Sequence, residues 1–305
     1  MSMKVQKEQW PALDWTQWQS CGETLHMLTQ IVGKTRLALT PMQNHWWNVP
    51  LYLTARGLST SVMPLPHGDR LEIQFDFRAH RVTFRHSNGT TEFLPLKSQT
   101  VADFYSSYRQ ILQDLGVEVK IHPKPVEVTD GIPFDQDTVH QAYDADAALR
   151  FWQTLSQADR LLKKFSTRFY GKISPVHFFW GSFDLAVTRF NGRRAPSRPG
   201  ADAIQAEAYS HECISAGFWP GNGGYGRAAF YAYAAPVPAG LAEAVIAGPG
   251  SFNKLLGEFV LDYDALCAAA DPDEVLLEFL QGTYAACADA AGWDRVNLDR
   301  SDHWE

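Results

Sequence analysis

Two short segments place imidazoles among aromatic rings: Asn44-His45-Trp46-Trp47 and His177-Phe178-Phe179-Trp180. An imidazole titrates near neutrality, so His45 and His177 are candidates for acid–base work; the ordinary alternative is a half-buried ring with one satisfied nitrogen. A third histidine lies in Ser210-His211-Glu212. Alternation along a strand over 209–216 sets His211 and Glu212 on opposite faces, so both address one ligand only if a bulge intervenes. Asp184 is the candidate acid. It aligns with Leu51 in the match between halves described below, so a carboxylate stands where a core aliphatic is expected. A buried acid is costly unless paired, and such acids gather at functional sites. Its candidate partners are His177, His211, Arg189 and Lys172, the alternative being a structural ion pair.

His177, His211 and either Asp184 or Glu212 have the composition of a two-His-one-carboxylate iron or zinc centre. No HxH, HxD, HExxH or CxxC spacing supports one, so no metal or other cofactor is expected. There is no GxSxG elbow for a serine nucleophile, and the glycine-rich stretch 219–226 does not open a helix after a strand. Arg56, Arg189 and Lys172 fall at matching or neighbouring places in the two halves, with Lys34 and Arg36 close by, and are suited to holding a small anion. Trp46, Trp47, Trp180 and Trp219 are the expected pocket walls.

The elements that must position these residues follow from periodicity. Apolar residues at helical intervals predict a helix over 14–32 with Gly33 as its stop. Alternation then predicts strands at 37–39 and 51–55. Leu71, Ile73, Phe75 and Phe77 alternate with polar residues, and Asn88-Gly89 joins the strand after them to 91–96 in a hairpin. Thr100 and Asp103 form a capping box for the next helix. After a proline-containing connector at 121–143, Asp144 caps a long helix. Strands are predicted at 176–179, 183–190, 209–216, 230–235 and 258–261, and Asp271-Pro272 opens a final helix.

The order repeats. Residues 31–57 resemble 169–192, and setting Trp47 against Trp180 pairs Arg56 with Arg189 without a gap. The expected fold is therefore α+β: two related α-β(antiparallel meander)-α halves, 1–143 including the connector and 144–305, packed as one unit by internal duplication.

With 305 residues, 45% of them hydrophobic and 20% charged, the chain has globular composition. A net charge of −7 argues against a nucleic-acid partner. Four scattered cysteines, no signal peptide and no long apolar run point to a cytoplasmic protein without a membrane partner.

The blocks TLHMLTQIVGKTRLALTPMQNHWWNVPLYLTARGL, SPVHFFWGSFDLAVTRFNGRRAP and AYSHECISAGFWPG resemble those of a bacterial family called domain of unknown function 5996. The resemblance spans nearly the whole chain and implies a bacterial, stand-alone protein; it brings no activity, cofactor or catalytic residue. The residues themselves suggest an enzyme using His/Asp acid–base chemistry on a small anionic substrate, in a polar-aromatic pocket between the halves. The alternative is a non-catalytic binding module for an aromatic or anionic metabolite. A third reading makes the aromatics a dimer interface, and the oligomeric state is left open.

Overall fold

The computed structural model describes residues 10–300. Asp14 caps the first helix, α1 (Trp15–Leu39), by accepting from the Thr16 amide. The helix does not stop at Gly33. The missing Cβ there makes room for a neighbour: a Cβ on Gly33 would stand 2.3 Å from the Trp180 ring. Glycine here serves close approach and not termination. The predicted strand at 37–39 is accordingly the last helical turn, closed by Thr40 ahead of Pro41.

Six short strands follow: β1 (Tyr52–Leu53), β2 (Gly57–Ser59), β3 (Met63–Pro64), β4 (Arg70–Asp76), β5 (Arg81–His86) and β6 (Thr91–Pro95). They form an antiparallel sheet of order β1-β2-β4-β5-β6, with β3 also on β4. The alternation of β4 does what it predicts, burying Leu71, Ile73 and Phe75, and the hairpin from β5 to β6 turns through Gly89 at φ 95°. Thr100 caps α2 (Val101–Asp114) in the expected box with Asp103. The connector is ordered by α1. Gln30 donates to the Val126 carbonyl and accepts from the Val126 amide, and Lys34 donates to the Lys124 carbonyl at 2.8 Å.

Asp144 caps α3 (Ala145–Ser166). The second sheet contains β7 (Lys172–Ile173), β8 (His177–Phe179), β9 (Asp184–Arg194), β10 (His211–Trp219), β11 (Ala229–Ala235), β12 (Ser251–Asn253) and β13 (Glu258–Asp262), in the order β12-β13-β11-β10-β9-β7 with β8 beside β9. A short helix, α4 (Ala203–Ala208), lies between β9 and β10. The chain closes with α5 (Tyr263–Cys267), α6 (Pro272–Ala290) and α7 (Arg295–Leu298). The fold is α+β, and one continuous hydrophobic core runs through both halves. Leu51 and Phe178 exchange backbone hydrogen bonds of 2.9 Å, tying the residue before β1 to β8. The Gly-Lys pairs that anchored the match between halves differ in setting: Gly33-Lys34 lies inside α1, whereas Lys172 opens β7 after Gly171.

Candidate functional site

The second sheet has two unlike faces. Leu185, Val187, Ile214, Ala216, Phe218 and Phe230 point into the core. Registers place the alternate residues together on the other face. His177 pairs with Ala186, Ala186 with Gly217 and Gly217 with Tyr231 in one row; Thr188, Ser215 and Tyr233 form the next; Lys172, Phe190, Cys213 and Ala235 the one beyond. This face is polar yet largely closed from solvent. Over it lie the turn at 44–46, where His45 takes φ 57° and Trp46 φ 60°, and α4. The two are latched. Glu207 accepts from the His45 amide at 2.9 Å, and His45 Nδ1 lies 3.3 Å from the Ala208 carbonyl.

His177 is 1% exposed. The rings of Phe179, Tyr52 and Trp47 stand edge-on around it at 5.4, 5.6 and 5.8 Å. Its Nε2 has no hydrogen-bond partner among the described residues. Burial, reinforced by Arg36, lowers its pKa to about 3, so the ring is neutral at physiological pH. Lys172 holds its Nζ 5.0 Å from the Trp47 ring centre and 5.1 Å from that of Phe190, on which His45 stacks. His211 approaches His45 at 5.7 Å. His45, Trp47, Lys172, His177 and His211 are thus brought into one region. Trp46 is half-buried on the covering turn, its indole N–H unpartnered among the described residues.

Asp184 shares this face, one alternate position from Ala186. Its partners are not the predicted cations. Ser182 Oγ and the Tyr231 hydroxyl donate to its two oxygens, and burial raises its pKa against both bonds. Asp184 leads into a tyrosine array: Tyr231 stacks on Tyr233, whose hydroxyl lies 3.0 Å from that of Tyr209. Half-buried Glu258 is pushed up to about 7 by burial and by Asp184.

Five predicted site residues lie elsewhere. Arg189 is five positions from Asp184, so it faces the core. Its guanidinium packs on Phe165 at 3.5 Å and Tyr284 at 4.2 Å and donates to the Phe165 carbonyl, and burial lowers its pKa to about 9. Arg56 sits on the exposed turn before β2, paired with Asp76 at 2.7 Å. Glu212 is held by Asn191 and Arg193, away from His211, even though the register does shift beside it. Trp180 is a core wedge whose Nε1 donates to the Val49 carbonyl at 2.9 Å. Trp219 stacks on Tyr225 at the far end of β10.

Sequence reasoning named Arg36 only beside the other basic residues and missed Tyr52, Ser182, Tyr231 and Tyr233 as site residues. The two β11 tyrosines carried a signal, since they alternate with Phe230, Ala232 and Ala234 and so had to share the non-core face. Among the described residues, no three His, Cys, Asp or Glu side chains are grouped to hold a metal ion, and no helix is long and apolar enough to cross a membrane.

Fold and site define an α+β protein with a covered polar-aromatic sheet face. A family model described as "Family of unknown function (DUF5996)" matches residues 10–300, and the chain belongs to that family. No curated protein and no solved structure matches it.

Proposed function

We propose that the protein binds a small anionic molecule against the polar face of its second sheet and transfers a proton on it. The observation that carries this reading is the opposite bias of two groups on that face: His177 is held neutral and Asp184 is driven toward its protonated form. Environments that push an imidazole down and a carboxyl up suit a base and an acid working together. Diagonal neighbours on adjacent strands are roughly 7–8 Å apart, the span of a small substrate. Lys172 and Trp47 supply charge and an apolar wall at the rim. Four free cysteines, three of them buried, favour a reducing, cytoplasmic setting.

A binding module without turnover is the second reading. It is favoured by the way Ser182 and Tyr231 already occupy both oxygens of Asp184. A metabolite panel screened by thermal shift, followed by NMR of the binders, tests both. The expected outcome is a binder that wild-type protein consumes, with turnover reduced about 100-fold or more in Asp184→Asn and His177→Ala. A binder that persists unchanged selects the second reading, and a panel of anions with no binder overturns both.

A further inference from the structure

Arg36 belongs to the last turn of α1 and is 7% exposed. Its Nε and Nη1 meet no acceptor among the described residues. Its guanidinium carbon lies 5.4 Å from the centre of the Tyr52 ring, and the His177 ring stands 5.6 Å from the same ring on an edge-on approach. Two buried groups with unused hydrogen-bonding capacity therefore flank one tyrosine. A buried guanidinium without a counter-charge is expensive, and here neither a carboxylate nor a carbonyl offsets it at those two nitrogens.

We infer that Arg36, Tyr52 and His177 form the recognition subsite for the carboxylate of a small aromatic acid. The inference rests on the proposed anion binding and names its ligand class. Three features select this class. Arg36 is the one formal charge among these three side chains, because His177 is neutral, so one negative charge balances it; Lys172 stands at the rim beside Trp47. The subsite also lies at the C-terminal end of α1, where the helix dipole opposes negative charge and opposes a doubly charged phosphate more than a single carboxylate. Finally, the surroundings are the rings of Trp47, Tyr52 and Phe179, which accept a flat apolar body rather than a hydrated phosphate. The carboxylate accepts from Arg36 and from whichever tautomer of His177 donates through Nε2. Its arrival supplies the negative neighbour that His177 lacks.

Calorimetric titration of the full chain with benzoate, acetate and inorganic phosphate tests the assignment. Benzoate is expected to bind one to one, at least about 10-fold more tightly than acetate, because the ring buries apolar area. Phosphate is expected to give no measurable heat. Arg36→Gln should weaken benzoate about 30-fold, as expected for losing hydrogen bonds to a charged group. Its melting temperature should be unchanged or raised, since the substitution removes an unpaired buried charge. A structural arginine would lose stability instead. Should Arg36→Gln fail to fold, Arg36→Lys keeps the charge without the planar fork and should still weaken benzoate.

Equal benzoate affinity in wild type and Arg36→Gln overturns the subsite. Phosphate binding in preference to benzoate overturns the aromatic-acid class and leaves anion binding standing. If none of the three binds, the subsite falls. Anion binding then rests on whether Asp184→Asn, but not Arg36→Gln, alters a binder from the metabolite panel.

Discussion

The two sheets of this protein bury their apolar faces in one core, but their polar faces differ in how charge is balanced. On the first sheet every carboxylate of β4 finds a donor nearby. Asp76 takes Arg56 at 2.7 Å and two backbone amides, Glu72 takes Ser59 and lies 3.8 Å from Arg85, and Gln74 bridges Thr54 and Arg85. Arg81 Nε and Thr83 Oγ1 on that face lack a partner among the described residues, but each β4 carboxylate has a donor. On the second sheet Asp184 has hydroxyl donors but no cation, Glu258 is raised by its neighbour, and His177 and Arg36 are left with unused polar atoms. Similar antiparallel grammar thus gives one face whose carboxylates are paired and one whose buried acid has no cation, and the proposed function rests on that difference.

The largest expected effect tests whether the two faces of β9 are independent. Arg189→Ala removes a side chain packed between Phe165 and Tyr284 and should cost about 3 kcal/mol in urea denaturation. Arg189→Met, which keeps the volume, should restore most of that stability and bind ligand as wild type does. Loss of binding in Arg189→Met would merge the two faces and break the comparison.

A paired carboxamide substitution sharpens it. Asp76→Asn forfeits the Arg56 pair and should lose about 1–2 kcal/mol. Asp184→Asn, which imitates the protonated acid, should be neutral or stabilising at alkaline pH. Equal losses in both variants would show that the second face is paired as well.

The smallest effect is the pH response. Burial raises the Asp76 carboxyl, but Arg56 and the backbone amides of Ala79 and Arg78 outweigh it and hold it below its ordinary value, so its contribution is present at neutrality and lost only as pH falls through the folded value. Glu258 runs the other way. Its folded pKa of about 7 lies above the unfolded one, so its contribution is complete below the unfolded value and disappears as pH rises through about 7. The melting temperature of wild type relative to Glu258→Gln should therefore decline between about pH 5 and pH 8, while neutral His177 works in the opposite direction in both proteins.

Much of this fold was legible in the chain because local rules decide it. The alternation of β4, the cap at Asp144 and the box of Thr100 with Asp103 need only near neighbours. Gly33 was misread because its role is set by Trp180, nearly 150 positions away, and no local rule distinguishes a stop from a contact. That error placed Arg36 beyond the helix end, whereas it lies in the buried last turn of α1. The pairing of Asp184 with Arg189 failed for a reason the sequence did contain, since an odd separation along a strand sends side chains to opposite faces. The tyrosines around Asp184 come from a strand more than forty positions away, and only the register of β9, β10 and β11 brings them together.

Nitrogen NMR of the His177 imidazole tests the central claim most directly. At about pH 6, where an ordinary histidine is largely protonated, the account predicts a neutral ring in the free protein. Benzoate at a concentration that just saturates wild type should shift its resonances there and far less in Arg36→Gln. A protonated His177 at that pH, or a ring that ignores benzoate while the ligand binds elsewhere, would contradict the account.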